Sequence, residues 1–325
     1  MQHIHRIIGL LLCGLLSLTA SADWHRRDAA IMGTAISVEL WHDDPQRGGE
    51  LINAVLAEMH RIDALMSTWK PDSDLSRINR TAALGPVPVD RELRQLITRT
   101  LAFSELTGGA FDITYASAGR YYDYRKGEKP GDAELEAALP AIDYRHVVID
   151  TDNSTVRYRH PGVTIDLGGI AKGYAVDRGM NILQQAGVGH ALISAGGDTR
   201  VIGNRWGRAW QVGIRDPCNA AGIVTMIPLV NRAISTSGDY ERYFEEDGVR
   251  YHHILNPGTG KSAGAVRSVS IIGNTATTTD ALSTSVFVLG VEKGLQLVNR
   301  QADIEAVIID NEGKMHFSTG LAMVQ

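Results

Sequence analysis

Cysteine is almost missing from this chain, with two in 325 residues. One of them, Cys13, lies in an apolar N-terminal run, so the remainder keeps Cys218 alone and has no intramolecular disulfide open to it. A basic excess is missing too: 32 lysines and arginines face 37 acids, for a formal charge of −5. Nucleic-acid binding needs a basic stripe, so that class is set aside. The apolar run from Ile7 to Leu18 is too short for a stable membrane span. There is no H-E-x-x-H and no cysteine pair, which leaves a zinc site without an anchor. Without G-x-S-x-G, a serine hydrolase has none either. No Pro/Ser-rich linker, repeat or low-complexity tract divides the chain, which predicts one compact, two-lobed unit over residues 23–325.

What is present begins with a leader. His5 and Arg6, the apolar run and Ala20-Ser21-Ala22 have the layout of a signal peptide over residues 1–22, with cleavage after Ala22. Large leucines precede Cys13, unlike a lipoprotein signal. Export to the periplasm is therefore expected, with a retained anchor at the inner membrane as the alternative. Loss of Arg6 leaves 31 basic residues against 37 acids, a charge of −6.

The chain is organised around Thr164 to Asp177. Val163, Ile165 and Leu167 alternate as in a strand with one buried face. Ala171, Ala175 and Ile182 then mark a helix running to Gln185 and stopping at Gly187. Between them sits Gly168-Gly169, with Asp166 before it and Lys172 after it. Glycines at such a turn allow close backbone approach, and free N–H groups of a helix start attract anions. Lys172 sits at the end of the dipole that disfavours a cation, which suggests a bound phosphate. A tight turn packing helix on sheet is the plainer reading. Gly258-Thr259-Gly260-Lys261-Ser262 imitates a P-loop ending, but Leu255 stands where its first glycine belongs.

The other elements follow from periodicity. Ile36, Val38 and Leu40 define a strand after Met32-Gly33-Thr34. Ile52, Val55, Met59, Ile62 and Met66 stripe a helix over 49–66, followed by a polar loop through Asn79 that carries Trp69. In such a loop a tryptophan either anchors packing or stacks on a flat ligand. Asp90 caps a helix to Thr107, which ends in Gly108-Gly109-Ala110-Phe111-Asp112. Hairpins are expected around Asp152-Asn153 and Asn311-Glu312-Gly313, strands at 191–194 and 269–272, and β-rich chain over 206–230. Strands joined mostly by turns point to an α+β fold with a mainly antiparallel sheet and packed helices.

On the helix expected over 277–289, Asp280, Ser283 and Thr284 share one face near the positive end. A carboxylate and hydroxyls suit a hard cation, magnesium above all, although a capping acid with a back-bonded threonine has the same spacing. His252-His253 precedes the turn Asn256-Pro257-Gly258, and a histidine there is either a general base or a packing group.

Taken in order, these blocks resemble the ApbE family of flavin transferases. The matching pieces are Met32 to Thr34, Met66 to Asn79, Gly108 to Thr114, Asp166 to Asp177, Ser194 to Asp198, Ser235 to Asp239, His253 to Gly260 and Thr278 to Thr284. The resemblance implies an exported enzyme that binds FAD and, with Mg²⁺, joins FMN to a threonine hydroxyl of a partner protein, releasing AMP. It implies FAD contacts at Met32, Trp69, Ala110, Phe111, Asp112, Asp166, Lys172 and Ile254, and a metal at Asp280 and Thr284 with Ser283 nearby and the Gly169 carbonyl. His253 matches the family's base. Trp69 and Asn256 depart from the tyrosine and aspartate often found there. Respiratory-complex subunits and exported flavoproteins are the acceptors so implied. An Mg²⁺-dependent FAD pyrophosphatase and a periplasmic flavin-binding protein are the rival readings.

Overall fold

The computed structural model describes residues 23–322, apart from the side chains at 220 and 221. The expected leader over 1–22 lies outside the described residues. An eight-stranded sheet runs in the order Asp23–Ile31, Thr34–His42, Ala191–Ala195, Asp198–Ile202, Ala233–Gly238, Ser268–Gly273, Glu305–Ile309, Met315–Phe317. Every neighbouring pair in it is antiparallel, as expected.

The sheet is buried on both faces. Ala306 and Ile308 turn to the larger core, which includes the helices, while Val307 and Ile309 turn to a second core with Trp210, Ile214 and Leu229. That is period-two alternation with no polar side. It explains why all of Ser268–Gly273 is buried and why its apolar run shows no alternation. Helices Pro45–Met66, Ala171–Gln185 and Ala276–Val298 contribute to the larger core, and the hairpin Trp210–Asp216/Asn219–Leu229 to the second.

Local chemistry accounts for most boundaries. Asp44 caps the first helix by accepting from the N–H groups of Gln46 (2.9 Å) and Arg47 (3.1 Å), with Pro45 at its first position. Its stripe Ile52, Val55, Met59, Ile62 and Met66 is buried as read from the sequence. Met32 and Gly33 both have positive φ, 56° and 70°, and make the two-residue turn of the first hairpin.

Three expectations change. The stretch 163–167 is not a strand and joins none of the sheets among the described residues. An asparagine side chain takes the place of the neighbour: Asn79 Oδ1 accepts from the Ile165 N–H (2.9 Å) and Asn79 Nδ2 donates to the Ile165 carbonyl (2.8 Å). The backbone groups are satisfied without a ladder. The expected polar loop before Asn79 contains a helix, Asp74–Thr81, capped by Ser73. The helix expected to end at Leu289 breaks at Gly290 (φ 77°) and then continues to Val298. Asp23–Ile31 and the hairpin Tyr243–Glu246/Val249–His252 were not legible beforehand, because the first buries only Ile31 and the second only His252.

Candidate active site

The centre of the site is the start of helix Ala171–Gln185. A carboxylate of the protein, that of Asp280, reaches the same helix start. Asp280, buried on helix Ala276–Val298, accepts from the Gly173 N–H at 2.9 Å. The two helices touch at that point: a Cβ on Gly173 would lie 2.2 Å from the Ala276 carbonyl oxygen. Lys172 Nζ is 2.9 Å from Asp198 Oδ2 and 3.4 Å from both Asp280 oxygens, and it donates to the Gly168 carbonyl at 3.2 Å. One ammonium thus serves two buried carboxylates. Burial, with the Asp198 charge behind it and Lys172 opposing, holds the Asp280 carboxyl above the usual carboxylate range. Burial works to lower the Lys172 ammonium, but Asp198 and Asp280 outweigh it and hold it above the ordinary lysine value.

One turn along the helix, Ser283 Oγ lies 2.8 Å from Ser237 Oγ and donates to the Asp280 carbonyl (2.9 Å). Thr284 Oγ1 is 3.4 Å from Ser237 Oγ, and a Cβ on Gly169 would lie 3.4 Å from Thr284 Oγ1. Gly169, Asp280, Ser283 and Thr284 therefore share one neighbourhood made of oxygen donors. Asp280 Oδ1 carries only the long contact to Lys172. This donor set, with one negative charge more than positive, fits a hard divalent cation.

The flavin-side residues divide. Asp166 accepts from the Gly168 N–H (2.6 Å), Tyr115 Oη (3.1 Å) and Thr68 Oγ1 (2.8 Å), so it locks the glycine turn to two other segments. Asp112 is buried, and its oxygens take Thr114 N and Oγ1 (2.8 and 2.6 Å) and Tyr144 N (2.8 Å). Burial raises its carboxyl, against those bonds. The side chain is consumed inside the fold, and the Ala110 and Phe111 N–H groups are likewise bonded back to Thr107. The Phe111 ring backs Gly169 at 3.3 Å from its would-be Cβ. Trp69 is 87% exposed next to Thr68, an aromatic with no packing role. Ile254 is buried. Met32 lines a separate cavity of about 540 Å³ with Gly33, Thr34, His60, Asp63 and Lys70. Another cavity, about 980 Å³ beside Trp206 and Trp210, holds none of the expected site residues.

The two histidines have different roles. His252 Nε2 bonds the Ala263 carbonyl (2.7 Å), Nδ1 accepts from the Ile254 N–H (3.3 Å), and the ring packs edge-on to Phe287. It is a packing group. His253 Nδ1 is buried with no hydrogen-bond partner. Burial first, then Arg242, His252 and Lys172, lower its pKa to about 3, so the imidazole is neutral and only weakly basic in this structure. Sequence reasoning missed Thr68, Tyr115 and Arg242, and gave Asp198 and Ser237 no part. Spacing could not have found them, since their partners are distant in the chain.

The model of the ApbE family matches residues 32–308. The chain is 32% identical, over 97% of its length and 93% of the relative's, to an FAD:protein FMN transferase of Treponema pallidum. It is 30% identical over 87% of its length to one from Escherichia coli. The crystal structure of the ApbE protein from Thermotoga maritima superposes with a TM-score of 0.85 at 36% identity, covering 93% of this chain and 99% of that one. The flavin transferase ApbE from Vibrio cholerae superposes at 0.82 with 28% identity, covering the same shares.

Proposed function

The chain belongs to the ApbE family, and on that footing we propose that it transfers FMN from FAD to a threonine hydroxyl of an acceptor protein, with Mg²⁺ and with release of AMP. The carrying observation is the oxygen-only cluster of Asp280, Thr284 and Gly169 packed against the Lys172 helix start. Asp280, Thr284 and the Gly169 carbonyl would hold the metal, with Ser283 oriented by Ser237 beside them. When bound, Mg²⁺ supplies Lewis-acid neutralisation of the diphosphate charge. Lys172 keeps Asp198 and Asp280 in place. Asp166 fixes the Gly168-Gly169 turn so that backbone N–H groups and the Phe111 wall meet the flavin end.

The resemblance gives His253 the proton of the threonine hydroxyl; burial and the neighbouring cations make it a weak base here, and the negative charge of bound phosphates would work to raise it. The hydroxyl oxygen bonds to the FMN-side phosphorus, the bond to the AMP oxygen breaks, and AMP leaves with that electron pair. Trp69, exposed at the rim, offers a stacking face for a flat ring. The leader pattern of residues 1–22 supports export to the periplasm, where acceptors would be respiratory-complex subunits or exported flavoproteins.

The test is intact-mass analysis of an acceptor domain bearing a threonine, incubated with FAD, Mg²⁺ and residues 23–325. An acceptor heavier by one FMN, and unmodified with Asp280→Ala, is the expected result. Free FMN and AMP beside an unmodified acceptor would turn the reading to a pyrophosphatase.

A further inference from the structure

Resting on that reading, we infer that Arg242, so far met only as a charge felt by His253, is the cation that recognises the phosphates of FAD. The reasoning starts from a charge census. Lys172 is the obvious phosphate ligand, yet it is already shared between Asp198 and Asp280. Even with Asp280 given to the metal, the ammonium stays matched by Asp198 at 2.9 Å.

Arg242 is exposed and forms no ion pair or side-chain hydrogen bond among the described residues. The acids flanking it in the chain, apart from Asp247 at the far turn of the hairpin, are committed elsewhere. Asp239 faces Arg250 and Arg267, Glu241 faces Arg215, Glu245 faces Arg250, and Glu246 faces Lys129. The segment thus keeps one arginine without a counter-charge.

Its position joins parts of the site that are otherwise apart. The Arg242 carbonyl accepts from the His253 N–H at 3.1 Å, so backbone pairing fixes the arginine beside the base. Its Nη2 lies 3.6 Å from where a Cβ of Gly33 would stand, at the positive-φ turn that also carries Met32. Its charge is also felt at Tyr115, whose hydroxyl holds Asp166. A guanidinium reaching from the base toward the Met32-Gly33 turn presents a planar fork of donors, which suits phosphate oxygens better than an ammonium does. With no ion pair among the described residues, the guanidinium gives up none of them on binding.

The test is calorimetric binding of AMP, FMN and riboflavin to the wild-type chain over residues 23–325, Arg242→Gln and Arg242→Lys. Steady-state FAD turnover is measured in parallel. We expect Arg242→Gln to weaken AMP, FMN or both by about 10–100-fold, as for loss of a charged hydrogen bond, with riboflavin unchanged and part of the loss restored in Arg242→Lys. Loss confined to AMP assigns the leaving phosphate, and loss confined to FMN the transferred one; either supports the inference. Unchanged affinity for both nucleotides, or an equal loss for riboflavin, would overturn it. Binding is read without acceptor or metal turnover, so an acceptor left unmodified would refute the transferase reading and leave this comparison standing. Arg242 is exposed, and equal melting temperatures for the variants would confirm that the fold is not in question.

Discussion

Asp177 and Asp280 do the same structural task for each other's helices and differ in what is left over. Helix Ala276–Val298 has no side-chain cap of its own at Thr275. Asp177, from the other helix, accepts from the Ala276 and Thr277 N–H groups, both at 2.9 Å. Helix Ala171–Gln185 likewise has no cap at Ile170, and Asp280 accepts from Gly173. The exchange is reciprocal. Yet Asp177 is neutralised by Arg200 at 2.8 Å, whereas Asp280 shares Lys172 with a second buried acid. The first pair is closed and holds the fold. The second keeps a negative charge to spare, which is what a site for a cation needs. Identical capping geometry therefore says little about function; the local charge balance separates the two.

The sharpest way to test this contrast is Asp280→Asn, which keeps an acceptor for Gly173 and removes the charge. FAD turnover should fall by about 10²–10³-fold or more, while urea unfolding shifts little. A turnover close to wild type would erase the distinction. Gly173→Ala attacks both helix starts at once, since its methyl would sit 2.2 Å from the Ala276 carbonyl. We expect a loss of roughly 3 kcal/mol in denaturant unfolding, at the upper end for overpacking, together with loss of turnover.

Asp177→Asn leaves Arg200 without its partner and should lower stability by about 2 kcal/mol. Activity per folded molecule should survive, and a selective loss of activity would make Asp177 part of the site. The smallest effect concerns His253 and depends on pH. Its folded pKa of about 3 lies below its ordinary value of 6.5, so between those limits the unfolded chain takes up the extra proton. Stability is then fully present above pH 6.5 and declines as pH falls toward 3. Between pH 7 and 5 the wild type should lose about 1–2 kcal/mol more than His253→Gln, measured as chemical-denaturation midpoints. Parallel pH profiles would mean that the imidazole is not buried neutral.

Much of the fold was legible because its signals are local. The stripe of the first helix and the alternation of Ile36, Val38 and Leu40 are statements about neighbours in sequence, although the helix starts at Pro45 and not at the expected 49. Asp280 and Thr284 were legible for the same reason, being one helical turn apart. The stretch 163–167 misled because alternation reports a buried face and does not report what pairs with the backbone; Asn79 supplies that pairing from far upstream. His252 and His253 look equivalent in sequence, and only the partners of their ring nitrogens tell them apart.

By itself, then, the sequence determined the antiparallel α+β frame, the order of the glycine-rich blocks and the helix face bearing Asp280, Ser283 and Thr284. These depend on periodicity, turn chemistry and spacing. The tertiary structure alone decided which acid caps which helix, which lysine already faces two carboxylates, that Arg242 has no ion pair among the described residues, and which histidine has a ring nitrogen buried without a partner. Such properties are sums over groups far apart in the chain. Burial and Coulomb energy depend on distance in space, and a linear sequence does not carry that distance.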